Sequence, residues 1–368
     1  MINSERLVKN FIEYVQIDSE TGNEGAMMEL LLQRLKALGC AVKTDGAGKK
    51  VGSNGDNIYA FYKGTLPGEP LIFSAHMDTV KPGNGIRPLV KEGVISSSGA
   101  TILGADDKSG IAGILEALTV IHEKGLPCRD VEIIFSIQEE SGMLGAGNFD
   151  FGQTVGKQAV VLDGGGDVGT ITTSAPGELI LNAAVIGKSS HAGSAPEQGI
   201  SSIQVAARGV AAMKLLRIDE ETTCNIGTFK SEGANNIVPA RTEISAEIRS
   251  RNLDKLNAQA EHMCGCLQKA CDDAGAKLEC TLTTAYVSFQ IADDNPLVQR
   301  VEQACAAIGR RSVIRPGGGG SDANIMNALG MNAIVLGTGM NKVHTTQENI
   351  SVKNLEDTAR LVLALMTD

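Results

Sequence analysis

The sequence contains no tryptophan, and its aromatic complement across 368 residues is four tyrosines and eight phenylalanines. Stacking surfaces for nucleobases are scarce, and the cationic surplus that phosphate backbones require is also missing: 33 Lys and Arg stand against 43 Asp and Glu, a formal net charge of −10. No nucleic-acid partner is expected. No apolar run approaches the ~20 residues of a membrane-spanning helix, so no membrane partner is expected either. The first twenty residues mix charges of both signs with apolar side chains and lack the uninterrupted apolar core of a signal peptide, which makes a cytoplasmic protein the expectation. The eight cysteines form no CxxC pair and sit mostly in apolar or helical-looking stretches, which reads as reduced thiols used in packing, not as ligands.

What is present is enough apolar material, 42% of a length suited to two or three domains, to build packed cores. Helical periodicity covers residues 4–17, and Thr21 with Glu24 has the spacing of a capping box ahead of AMMELLLQRLKALG. Short apolar runs then end abruptly in polar chemistry: NIYAFY, PLIFSAHMD, VEIIFSIQEE, QAVVLDGGG and MNAIVLGTG. Between the second and third lies a buried-helix pattern at 109–123, so strand and helix alternate. The expected fold is α/β, a mostly parallel sheet with helices on both faces. From about Thr172 the texture changes to strands at ELILNAAVIG, 242–249 and KLECTLTTAYVSF, with helices at 199–216 and 253–274. A smaller α+β unit at 173–288 is therefore expected to interrupt a catalytic domain made of 1–172 and 289–368.

In open α/β sheets ligands gather beyond the carboxyl ends of strands. His76, the pair Glu139 and Glu140, and Asp163 each follow directly on a strand-like run. His344 comes seven residues after the run ending at Leu336, and Asp106 sits in the loop GADDKSG before the buried helix. Imidazole nitrogen and carboxylate oxygen without thiolate favour zinc, cobalt or manganese over calcium. Five ligands, His76, Asp106, Glu140, Asp163 and His344, are too many for one catalytic zinc. If Asp106 bridges, two divalent ions about 3.5–4 Å apart each receive one imidazole, one private carboxylate and a share of Asp106. Asp78, two residues after His76 on the same strand face, is placed to orient the imidazole without ligating.

The segments SAHMDTV, LGADDKSG, IQEESGMLGA, VLDGGG, KSSHAG, GANNIVP and GGGGSDAN occur in this order, and the chain resembles the M20 family of dinuclear zinc aminoacyl peptidases and deacylases. LGADDKSG and the closing VHTTQEN look most like the peptidase T group of tripeptide aminopeptidases. The resemblance implies that one zinc is held by His76, Asp106 and Asp163 and the other by Asp106, Glu140 and His344. Glu139 would be the general base that activates the metal-bridged water, and the Asp106–Asp107 peptide would be cis. It further implies that the inserted unit acts as a lid and homodimer interface, lending His191 to the partner's active site to stabilise the oxyanion. Asn236 and Arg249 would hold a short peptide substrate, the arginine through its carboxylate, and the loop 318–322, with Gly319, Gly320, Ser321 and Asp322, would lie against the substrate backbone.

Each residue taken singly has an ordinary explanation: a capped strand end, a solvated loop, a surface salt bridge at Arg249. Gly164, Gly166 and Gly169 also fit GxGxxG, but the stretch after Gly169 reads as extended chain and Asp163 puts a carboxylate where a phosphate would need donors, so a dinucleotide site is rejected. His122 and His262 are left structural. Two other functions remain beside aminopeptidase: an N-acyl amino acid deacylase or carboxypeptidase using the same centre, and a noncatalytic metal or peptide carrier.

Overall fold

The computed structural model describes residues 2–368, which divide into two compact units, one formed by 2–174 with 290–368 and the other by 175–289. In the first unit a nine-stranded sheet runs in the order 41–44, 58–62, 131–136, 71–76, 158–164, 332–337, 170–175, 289–290, with 313–316 also paired to 170–175. Its centre is parallel: Leu71–His76 lies between Val131–Ser136 and Gln158–Gly164, and Gln158–Gly164 pairs in parallel with Asn332–Gly337. Every residue of Leu71–His76 and of Val131–Ser136 is buried, the pattern of strands covered on both faces. The pairing brings His76 opposite Ser136 and Gly337 opposite Gly164, so the carboxyl ends of four neighbouring strands open on one rim.

The helix Ala105–Lys124 is buried along almost its whole length and shares one apolar core with the helices Ser4–Gln16 and Val352–Thr367. Its burial includes Glu116, which accepts from Arg6 Nε at 2.7 Å, from Arg6 Nη2 at 2.8 Å and from the Asn3 amide at 2.9 Å. Arg6→Ala strands that carboxylate and is expected to cost about 3 kcal/mol in urea denaturation. A loss below about 0.5 kcal/mol would show that water reaches Glu116 once the guanidinium is gone.

One expectation needs correction. The run after Gly169 is the strand Thr170–Ala175, which agrees with the rejection of a dinucleotide site, but Thr21 and Glu24 do not cap the helix Gly25–Ala37. The Thr21 hydroxyl donates to Asp78 Oδ2 at 2.8 Å, and Glu24 accepts from the amides of Gly22 and Gln138. Tertiary donors outcompete the local pattern. A four-stranded sheet of Pro88–Lys91, Val94–Ser97, Met340–Asn341 and Asn349–Ser351 was also not legible, because its strands are only two to four residues long.

The second unit is an antiparallel sheet in the order 216–217, 222–230, 241–250, 177–186, 277–286. Ile244, Ala246 and Ile248 do face one way, into a core with Leu181, Val185, Met263 and Leu267 beneath the helices Ser202–Ala211 and Leu253–Ala274. Among the described residues no helix is long and apolar enough to cross a membrane.

Candidate metal centre

Three strand ends and two loops deliver the site. His76 closes its strand with the ring buried; its Nδ1 donates to the Asp78 carbonyl at 2.9 Å, and the Asp78 carboxylate stands further off at 3.4 Å. In the neutral ring that leaves the electron pair on Nε2, 3.0 Å from Asp106 Oδ1 and 3.9 Å from Asp163 Oδ1. The other oxygen of Asp106 faces a different ring: Oδ2 is 3.2 Å from His344 Nε2. Glu140 Oε1 is 3.0 Å from the same nitrogen yet makes no hydrogen bond to any group, although it is buried. His344 and Gln138, the residue before Glu139, both hold left-handed backbone (φ 62° and 48°), a conformation worth of order 1–3 kcal/mol that surrounding contacts must offset.

The Asp78 carboxylate serves the next loop. Its Oδ1 accepts from the Glu139 amide at 2.9 Å and its Oδ2 from the Glu140 amide at 3.3 Å, which fixes the two glutamates relative to His76. The peptide Asp106–Asp107 is cis, and both residues depart from helical geometry at the start of 105–124. Helix and Asp163 strand approach closely here: a Cβ on Gly110 would stand 2.8 Å from Leu162 Cβ and 2.6 Å from Asp107 Oδ1.

Ionised together, the buried carboxylates here would outnumber the two imidazoles, and without cations several are driven toward the neutral acid. Burial, and then the neighbouring carboxylates, push the acids of Glu139 and Asp163 well above the usual range, and burial does the same to Asp107. For Asp106 burial acts in the same direction, but His344 and His76 outweigh it and hold the carboxyl low. Asp106, and then Glu140, raise His344 to about 10, while Asp106 and Asp78 raise His76 against its burial. Two imidazoles cannot neutralise this many buried carboxylates; divalent ions can. The donor set, with Glu140 Oε1 unsatisfied, fits such ions. Ligand atoms of His76, Asp106 and Glu140 lie within 4.8 Å of one another, as do those of His76, Asp107 and Asp163. Asp107 thus joins the cluster at a place the sequence reading gives to Asp106, but its oxygens already accept from the His76 and Gly110 amides.

Residues 72–368 match the peptidase family M20/M25/M40. The chain belongs to that family. It is 38% identical to the uncharacterized protein YqjE of Bacillus subtilis over 368 residues, covering all of this chain and 99% of that protein. It is 23% identical to Peptidase T of Escherichia fergusonii, covering 98% of each. Among solved structures it resembles the aminopeptidase PepT of Bacillus cereus (TM-score 0.91, 40% identity, covering 100% of this chain and 98% of that one) and a tripeptidase of Staphylococcus aureus (TM-score 0.95, 38% identity, with the same coverage).

Within this M20 chain Glu348 escaped sequence reasoning, and Asp322 was read only as the end of the glycine-rich loop. Glu348 reaches back across 242 residues: its Oε1 accepts from the Asp106 amide at 3.0 Å and its Oε2 from the Leu103 and Gly104 amides at 2.7 and 2.8 Å. It shapes the loop that presents Asp106. Glu348→Gln keeps the size and turns an NH2 toward N–H donors, so metal affinity is expected to fall about 10- to 100-fold in competition with a chromophoric chelator. Unchanged affinity would mean that the loop keeps its shape unaided. Asp322, in the glycine-rich loop, accepts from Ser136 Oγ, keeps its Oδ1 unpartnered and is raised to about 6, chiefly by burial. Ser321 precedes it as the N-cap of Asp322–Ala328, its amide donating to Asn324 Oδ1, and Gly319 and Gly320 lead into that cap.

The remaining sequence-predicted residues lie in the second unit. His191 and Asn236 adjoin, for His191 bridges to Ile237 and the Ala192 amide donates to the Asn236 carbonyl at 2.9 Å. His191 Nδ1 accepts from the amides of Gly193 and Ser194 at 3.1 Å each, so in the neutral ring the proton sits on Nε2. Arg249 is engaged by acids: its Nη2 is 2.8 Å from Glu247 and 3.3 Å from Glu178, while its Nε is buried without a partner.

Proposed function

We propose that this chain is a dinuclear-metal aminopeptidase of the peptidase T kind, removing the N-terminal residue from short peptides. The observation that carries the reading is Asp106, whose two oxygens face two different imidazoles at 3.0 and 3.2 Å. A carboxylate so placed has the geometry of a bridge. The PepT and tripeptidase likenesses at 40% and 38% identity support the substrate class.

In this reading His76, Asp106 and Asp163 hold one ion and Asp106, Glu140 and His344 the other. When bound, zinc ions, or cobalt or manganese by the same donor chemistry, would polarise the scissile carbonyl and ease ionisation of the attacking water. Glu139 is left free of ligation in this reading, with its amide pinned by Asp78 beside that of Glu140. It takes the proton of the attacking water and returns it to the leaving amine. The Nε2–H that His191 keeps by accepting two amides at Nδ1 would donate to the tetrahedral oxyanion of the partner subunit's substrate, which requires a homodimer through the inserted unit. Arg249 would release Glu247 and Glu178 to take the peptide carboxylate, its planar fork matching that group.

Metal-loaded protein should be offered tripeptides, dipeptides and acetylated amino acids, with light scattering alongside. Release of the N-terminal residue from tripeptides is the expected result. Exclusive turnover of acetylated amino acids would make it a deacylase, no turnover of any substrate would leave a carrier, and a fully active monomer would remove His191 from the mechanism.

A further inference from the structure

A second cluster of reactive side chains lies in the unit 175–289 and belongs to none of the chemistry above. Cys264 stands on the helix Leu253–Ala274 and Cys280 on the strand Lys277–Tyr286 at the end of the antiparallel sheet. Leu278 packs against the unit's apolar core, and Cys280, two residues on, shares its face of the strand. The sulfurs of Cys264 and Cys280 meet at the margin of this helix-on-sheet layer, 3.0 Å apart, close enough for one thiol to donate to the other. Cys280 is exposed and Cys264 half-buried, so small solutes reach the pair. The remaining cysteines differ: Cys40, Cys128, Cys224, Cys271 and Cys305 are buried, and Cys266 donates to the Ala212 carbonyl.

We propose that Cys264 and Cys280 form an oxidation site, at which hydrogen peroxide converts the two facing thiols into an intramolecular disulfide tying the helix to the terminal strand of the sheet. The Cys280 thiolate attacks one peroxide oxygen; the O–O bond breaks, leaving a sulfenic acid on Cys280 and a hydroxide that takes up the thiol proton as water. Cys264 sulfur then attacks the sulfenic sulfur, the S–O bond breaks, and the departing oxygen leaves as water with the Cys264 proton. The two thiols lose two electrons in all, and one peroxide becomes two waters.

Two features of the site favour each step. The thiol of Cys264, donating to Cys280 sulfur, lowers the Cys280 thiol to about 7 against the opposing effect of burial, so the more exposed sulfur is the nucleophile. The second sulfur is already in contact, and it needs only about 1 Å of further approach to reach the 2.05 Å of an S–S bond. A resolving thiol this near captures the sulfenic acid before more peroxide does.

The test treats the whole chain, freed of reductant, with hydrogen peroxide at stoichiometric amounts. The expected product loses the mass of two hydrogens and two of its eight thiols, migrates as a single chain without reductant, and yields a cross-linked peptide pair holding Cys264 and Cys280. It should also melt at a higher temperature than the reduced protein, because the bond closes a loop in the unfolded chain, and a dithiol should reverse both changes. In Cys264→Ser the sulfenic acid on Cys280 should persist long enough for a cyclic 1,3-diketone to trap it, whereas Cys280→Ser should leave Cys264 alkylatable. Wild-type protein in which Cys280 gains oxygen while Cys264 stays free overturns the proposal. So do disulfides between chains, or peroxide consumed by other cysteines first.

Discussion

Glu139→Gln is expected to lower kcat for tripeptide hydrolysis roughly 100- to 10,000-fold, the range a positioned general base supplies. The amide preserves the size of the side chain and cannot accept a proton from water. The Asp78 bonds that position this loop run to main-chain amides of residues 139 and 140, so they survive the substitution. Both ions should therefore remain, and elemental analysis alongside kcat separates the alternatives. Undiminished turnover would take the base away from Glu139, and loss of an ion would place it among the ligands.

Asp106→Asn is the more severe change. On the proposed geometry each ion shares this carboxylate, so metal content should drop from two equivalents to one or none, and turnover should fall by roughly 1,000-fold or more as several kcal/mol of charge stabilisation are lost. Asparagine fills the same space and keeps the amide that Glu348 holds, so near-native far-ultraviolet circular dichroism is expected. Two ions retained at wild-type affinity would show that nothing is shared at this position. The comparison with Glu348→Gln is informative, since that variant weakens both ions while leaving every proposed ligand in place.

The rim that carries the proposed ligands was legible in sequence because apolar strands that stop at a charged residue are a local signal. His76, Glu139, Glu140 and Asp163 each sit where such a run ends, and the parallel pairing of those strands aligns the ends. Asp106 and His344 lie off the strands, and they were placed by their distance along the chain from the buried helix and from the run ending at Leu336. The supporting residues were hidden for a physical reason. Glu348, Asp322 and Thr21 act through hydrogen bonds to chain segments 242, 186 and 57 positions away, and no spacing rule encodes those partners. The same competition defeated the capping box, since the Thr21 hydroxyl found Asp78 instead of a helix amide. The pair Cys264 and Cys280 was likewise read as packing, because sixteen residues of separation across a helix and a turn show no motif, whereas the fold brings the sulfurs to 3.0 Å.

The grip of Glu348 on the Leu103, Gly104 and Asp106 amides bears on how the protein is born. His76, Asp106, Glu140 and Asp163 leave the ribosome early, yet the residue that shapes the Asp106 loop is synthesised only after the whole intervening unit. A nascent chain halted before His344 carries most of the donors and no finished cradle. On the proposed reading, loading waits until Glu348 has been made, and a chain stalled before it should hold ions poorly.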